Sequence, residues 1–226
     1  MKSRSLAAGI VAVSTVVGSL VVSALPDARA ADGQGFRLLA PSVGAAGKTR
    51  AELLVAGYTA KVQSTKKQID TSDCGARPQF GPSESEKALG KSVFNLPAKL
   101  GKRMACTMSA SSVLMVDHIG VICNESKNHQ ASEECVAKRF EDLRNYKVVV
   151  DGIDLGAQRY KVITDKFVID LKSDSPFGLK SGKWLLRAGG WPILLDHFTV
   201  GTHTVVTSYK LGKSKQKTTV TLTVTG

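Results

Sequence analysis

The chain reads as a mainly β protein, an antiparallel, jelly-roll-like β-sandwich with two packed helices; the alternative is an α+β domain built on a single sheet. Three observations lead there. Residues from about 147 onward form short apolar-alternating segments separated by turn signals. The clearest is Lys217 to Thr225, where Val220, Leu222 and Val224 take one face and Thr219, Thr221, Thr223 and Thr225 the other. His203 to Lys210 alternates in the same way, and the basic loop Leu211-Gly-Lys-Ser-Lys-Gln between the two runs marks a hairpin. A half-buried hairpin needs a second layer, and upstream segments have the pattern to supply it.

The N-terminus has the order of a secretory signal peptide: Lys2 and Arg4, an apolar run from Leu6 to about Leu25, then Ala28-Arg29-Ala30. The competing reading is an uncleaved membrane anchor, against which stand Ser14, Gly18, Ser19 and Pro26. Residues 1–30 are thus expected to be removed, leaving 196 of the 226 residues, with no transmembrane span in the mature form. Losing three cations and one anion lowers the net charge only from +12 to +10. In an exported protein such a balance suggests attraction to anionic surfaces such as wall polymers or lipid headgroups, with solubility alone as the competing reason; the expected partner is an anionic cell-envelope polymer or a glycan and not nucleic acid.

All four cysteines, Cys74, Cys106, Cys123 and Cys135, fall in the mature part, as expected for two disulfides. Their intervals of 32, 17 and 12 residues contain no close pair of the zinc-ribbon type, so no metal site is expected. Cys123 ends an apolar strand and Cys135 lies in the first turn of a helix, which pairs these two and leaves Cys74 for Cys106.

In order along the chain, residues 31–48 form a flexible lead, or a loosely tied strand around Phe36 to Leu39, before a single domain over 49–226. Thr49-Arg50-Ala51-Glu52 is a capping box opening a helix of about four turns, with Ala51, Leu54, Val55, Tyr58 and Val62 on one face. Asp70 to Gly90 has loop composition. Ser92 to Leu96 and Arg103 to Thr107 are short strands, and Ser112 to Cys123 is one buried strand bent at Asp117-His118. Ser132 caps a second helix with Glu133 and Glu134 in its first turn, Val136, Phe140 and Leu143 as its buried stripe, and an end near Tyr146. Val148 to Val150, a turn at Asp151-Gly152, alternation through Phe167, Ile169 and Leu171, and apolar segments at Trp184 to Arg187 and Trp191 to Phe198 follow.

Taken together, several phrases resemble an uncharacterised family of secreted bacterial proteins with a four-cysteine pattern. They are Arg103-Met-Ala-Cys-Thr-Met, Leu114-Met-Val to Ile122-Cys123, Glu134-Cys135-Val-Ala-Lys, Val150-Asp-Gly-Ile, Arg159-Tyr160-Lys-Val and Gly201-Thr-His-Thr-Val. The resemblance spans about Thr49 to Val224 and implies the β-rich fold, with Val-Asp-Gly and Gly-x-His-Thr as strand motifs. It carries no established activity. The family's first helix is Trp-rich, whereas Ala51 to Lys61 offers only Tyr58.

No catalytic constellation stands out. Asp117 and His118 are adjacent and point to opposite faces of a strand, so joint action with His197 and His203 is awkward. His129 and Glu133 straddle the cap Ser132, no Gly-x-Ser-x-Gly occurs, and Asp151, Asp154, Asp165 and Asp170 fit turns and strand faces as well as carboxylate pairs. No cofactor is implied. The candidate ligand-binding residues are Trp184 and Trp191, which have the faces to stack on a sugar ring, and Lys213, Lys215 and Lys217 of the basic hairpin. Against them stand core packing for the tryptophans and edge protection for the lysines. The expected function is an exported accessory or binding protein at the cell envelope or in the medium, with a secreted hydrolase or a structural envelope component as alternatives.

Overall fold

The computed structural model describes residues 35–45, 48–63, 93–96, 103–116, 120–125, 130–175 and 178–226. Among the described residues the fold is mainly β with two helices. The strands are β1 (Arg37–Leu38), β2 (Val93–Leu96), β3 (Arg103–Ser109), β4 (Val113–Val116), β5 (Gly120–Asn124), β6 (Leu143–Val150), β7 (Ile153–Asp154), β8 (Val162–Ile163), β9 (Phe167–Leu171), β10 (Gly182–Gly190), β11 (Ile193–Asp196), β12 (Gly201–Leu211) and β13 (Ser214–Thr225). The helices are α1 (Arg50–Gln63) and α2 (Glu133–Glu141).

Three sheets result, ordered β1-β11-β4-β2, β5-β10-β8 with β9 also on β10, and β3-β13-β12-β6-β7. The first and third face one another across the largest core cluster. Leu114, Val116, Ile193 and Leu195 from the first meet Met104, Val148, Val205, Val220 and Leu222 from the third. The opposite side chains of the first sheet, Val93, Val113, Met115 and Leu194, pack with Leu53 of α1. This sheet is therefore buried on both faces, which is why β4 and residues 193–195 of β11 are continuously apolar instead of alternating. Farther along α1, Leu54, Tyr58 and Val62 contact apolar residues of the β10 sheet.

Most pairings are antiparallel, as expected, but β2–β4 and β3–β13 are parallel. The cause is topological. From β2 in the first sheet the chain passes to β3 in the third and back to β4 in the first, so β2 and β4 enter their sheet in the same direction. The apolar run Ser112 to Cys123 is not one bent strand: it holds β4 and β5, which belong to different sheets. The intended bend at Asp117-His118 lies outside the described residues.

Both helix starts follow their sequence signals. Thr49 N–H donates to Glu52 Oε2 at 2.7 Å while Glu52 N–H donates to Thr49 Oγ1 at 3.2 Å. Ser132 Oγ accepts from Cys135 N–H at 3.1 Å. The second helix ends sooner than its apolar spacing suggests, at Glu141, and Leu143 and Tyr146 lie in β6. The apolar residues at 136, 140 and 143 suit a helical stripe, and only tertiary pairing with β12 decides that the last belongs to a strand.

The expected Cys123–Cys135 disulfide is present, with Cα atoms 6.3 Å apart, fastening α2 to β5. Closing this loop stabilises by roughly 2–4 kcal/mol. Cys106 is also disulfide-bonded; the pairing expected for it falls on Cys74, outside the described residues. Val136 and Phe140 of α2 lie on Gly189 of β10, where a Cβ would sit 2.6 Å from both side chains. Replacing Gly189 by Val should therefore push the helix off its sheet and destabilise by about 1–3 kcal/mol. Urea unfolding checks this, and an unaltered midpoint would contradict the packing.

Candidate functional site

Two of the strand motifs meet in space. Asp151 and Gly152 form the two-residue β6–β7 turn, both with positive φ (48° and 85°), the pattern of a type I′ hairpin. The Asp151 carboxylate turns back onto β12: Oδ1 accepts from Thr204 N–H at 2.7 Å, and Oδ2 lies 2.6 Å from His203 Nδ1. Asp151 N–H donates to Thr204 O at 2.9 Å. His203 is buried at 6% exposure and its Nε2 lies 2.9 Å from Thr199 O, so both ring nitrogens face acceptors.

Thr199 N–H in turn donates to Gly35 O at 2.7 Å. Phe198 stacks on Phe36 at 5.6 Å and meets the His203 ring edge-on at 5.0 Å. The imidazole is thereby committed to joining the turn, β12 and the N-terminal strand. Its Nε2 has both the carbonyl oxygen of Thr199 at 2.9 Å and the hydroxyl of the same residue at 3.5 Å. His197 is exposed, 3.7 Å from Asp196, which forms a bidentate pair with Arg37 across β1 and β11 at 2.7 and 2.8 Å. Asp117, His118 and His129 lie outside the described residues.

The four candidate carboxylates do not pair with one another. Asp151 meets His203, Asp154 meets Lys147 at 3.0 Å, Asp165 meets Arg187 at 3.9 Å, and Asp170 meets Lys172 at 2.7 Å. The Gly156 N–H, with lesser help from Lys147, holds Asp154 below the ordinary carboxylate range, and the hydrogen bond from Lys172 does the same for Asp170. Neither has the raised pKa that a general acid uses. Among the described residues, no three His, Cys, Asp or Glu side chains gather as a metal site.

Sequence reasoning passed over Arg50, which sits inside the capping box yet is buried at 4% exposure. Its guanidinium donates to the carbonyls of Pro192, Leu39 and Ala40, and lies 4.9 Å from the Tyr160 ring centroid. Burial pushes it down to about 10. It clamps the N-terminal segment to the start of β11, a structural task.

Of the residues expected to bind ligand, the two tryptophans separate. Trp191 is 2% exposed, stacked on Tyr146 at 4.7 Å and edge-on to Phe140 at 4.8 Å. This corrects its assignment as a sugar platform, because both neighbouring rings belong to the core. Trp184 packs partly buried in a different cluster, with Val62, Ile169, Leu171 and Leu186, and its Nε1–H donates to Lys180 O at 2.7 Å.

The lysines share one surface. β12 and β13 pair over eleven positions, and the expected six-residue loop contracts to Gly212-Lys213, with Gly212 at φ 57° as a type II′ turn requires. Lys213 occupies the tip. Lys215 and Lys217 lie on the outer face of the sheet, opposite Lys210 and Ser208. On the other side of β12, Arg144 faces Lys210 and Lys147 faces Ser208. That juxtaposition depends on an extra residue in β6: Asn145, at φ 57°, marks a bulge that puts Arg144, Lys210 and Lys215 in one row. Of the six cations at this end, Lys147 has an ion pair among the described residues, with Asp154.

No protein-family model matches the chain, and no curated protein matches it. Among solved structures, a cysteine protease inhibitor from Entamoeba histolytica, EhICP2, is similar at 12% identity and a TM-score of 0.24, over 58% of this chain and 96% of that one. Amebosin is similar at 12% identity and a TM-score of 0.19, over 54% and 89%.

Replacing His203 by Ala removes the Asp151 Oδ2 contact, the link to Thr199 O and an aromatic contact with Phe198. We expect a loss of about 1–3 kcal/mol, with amide exchange rising first around 35–38, 151–154 and 199–204. Uniform exchange across the chain would show that His203 does not join these segments.

Proposed function

We propose that the protein is an exported binding protein whose basic sheet end takes an anionic polymer of the cell envelope or its surroundings. The row Arg144–Lys210–Lys215 carries this reading. Adjacent strands lie about 4.8 Å apart, so three cations are crowded across three strands, with Lys147 and Lys217 in the next row. Like charges directly opposite destabilise a sheet by a few tenths of a kcal/mol each. A polyanion lying over the rows relieves that repulsion.

Edge protection accounts for Lys215 and Lys217, since among the described residues β13 pairs with β3 from Thr219 onward. It does not account for Lys210, which is flanked by paired strands on both sides. The apolar run and small-residue site of residues 1–30, the net charge of +12 and the resemblance to a secreted bacterial family support export and an envelope location. The disulfide is compatible with an oxidising compartment.

The test uses the mature chain, starting at Ala31, with Lys210, Lys215 and Lys217 all replaced by Gln. Binding to immobilised polygalacturonate and to poly(glycerol phosphate) should fall at least tenfold at about 50 mM salt, and the salt dependence should flatten. Undiminished binding with an unchanged salt response would remove this surface from the function.

A further inference from the structure

The oxygens around His203 ask for one proton more than a neutral imidazole carries. Asp151 Oδ2 lies 2.6 Å from Nδ1 and Thr199 O lies 2.9 Å from Nε2, and an ionised carboxylate and a carbonyl only accept. The neutral ring has a single N–H, so one of its nitrogens turns a lone pair toward an oxygen, whereas the imidazolium donates at both. Because His203 is buried, water is not at hand to supply the missing bond. Thr199 itself offers the alternative partner: its hydroxyl, 3.5 Å from Nε2, is able to donate there once the ring proton is gone.

An exchange of one Thr199 oxygen for the other reaches the N-terminal segment. Thr199 N–H donates to Gly35 O at 2.7 Å, and a Cβ on Gly35 would lie 2.9 Å from Thr199 Oγ1 and 3.3 Å from His203 Cε1, so the chain at Gly35 rests on both groups. Phe36 follows, stacked on Phe198. Residues 197–200 connect β11 to β12 outside the ladder, and Thr199 is exposed there. Asp151 is the charged group on the ring. The other ionisable side chains of these elements engage one another: Arg37 on β1 holds Asp196, and His197 lies 3.7 Å from the same carboxylate. On β13 the residue opposite His203 is Leu222.

We propose that His203 is a pH-operated latch: as the imidazolium it bridges the Asp151 carboxylate to the Thr199 carbonyl, and on losing a proton it turns to the Thr199 hydroxyl and loosens residues 197–200 with the N-terminal strand. The cation is the form that fits both oxygens, so the fastening is complete at acidic pH and is lost as pH rises through the range, about pH 5 to 8, in which imidazoles change charge.

Amide exchange of the mature chain, corrected for the intrinsic rate, tests this at about pH 5.5 and about pH 8. Protection at Thr199 and over 36–39 should fall about tenfold at the higher pH, the effect of one lost hydrogen bond, while inward positions of the β12–β13 ladder keep theirs. Thr199→Val keeps the carbonyl and removes the hydroxyl; it should match wild type at the lower pH and lose severalfold more at the higher. Thr199→Ser should follow wild type. His197→Asn, which suits the positive φ of 53° at that position, should retain the response. Equal protection at both pH values in wild type, or a fall that extends evenly through the ladder, would overturn the latch. A response abolished in His197→Asn would assign the switch to His197 instead, and a Thr199→Val profile identical to wild type would remove the hydroxyl partner; either result also overturns it.

Discussion

The eleven-pair ladder between β12 and β13 is the constraint on which the rest of the structure depends. Strand side chains alternate faces, so its register sends His203, Val205, Thr207, Tyr209, Thr218, Val220, Leu222 and Val224 inward and Lys210, Lys215, Lys217 and the remaining threonines outward. A slip of one residue would expose the entire apolar set. The two-residue turn at Gly212-Lys213 fixes that register locally, while β3 and β6 read it from either side. The same parity that builds the core therefore also composes the basic outer face.

The remaining elements hold this ladder against its partner layer. The first sheet is sandwiched between the ladder's inner face and α1, and Arg50 anchors the N-terminal segment to it through carbonyls alone. Asp151 and His203 tie the β6–β7 turn, β12 and the Gly35–Phe36 segment into one unit. Leaving the buried His203 ring without Asp151 costs more than the bond contributes, which makes the pair a determinant of arrangement as much as of stability. The Cys123–Cys135 bond does comparable work for α2 and β5.

Features governed by local chemistry were legible in the sequence: the hairpin, the Thr49–Glu52 box, the Ser132 cap and the Cys123–Cys135 pair all follow from spacing over a few residues. What was not legible depends on pairing between distant segments. The split of residues 112–123 between two sheets leaves no mark in a continuous apolar run, because β4 is buried on both faces. The early end of α2 is set by β12, not by its own residues. Trp191 carries no sign that Tyr146 and Phe140 will enclose it.

The candidate surface was half visible for the same reason. Lys213, Lys215 and Lys217 stand out as a local charge run, but Lys210 and Arg144 join them only through the ladder and the bulge at Asn145. Mapping of backbone amide shifts on adding a soluble acidic glycan tests the central claim most directly. The account requires perturbations confined to outer-face positions over 144–149, 202–210 and 215–223, densest at Lys210 and Lys215 and suppressed by salt. Perturbations gathered around Trp184, His197 or α1, with β12 and β13 silent, would contradict it.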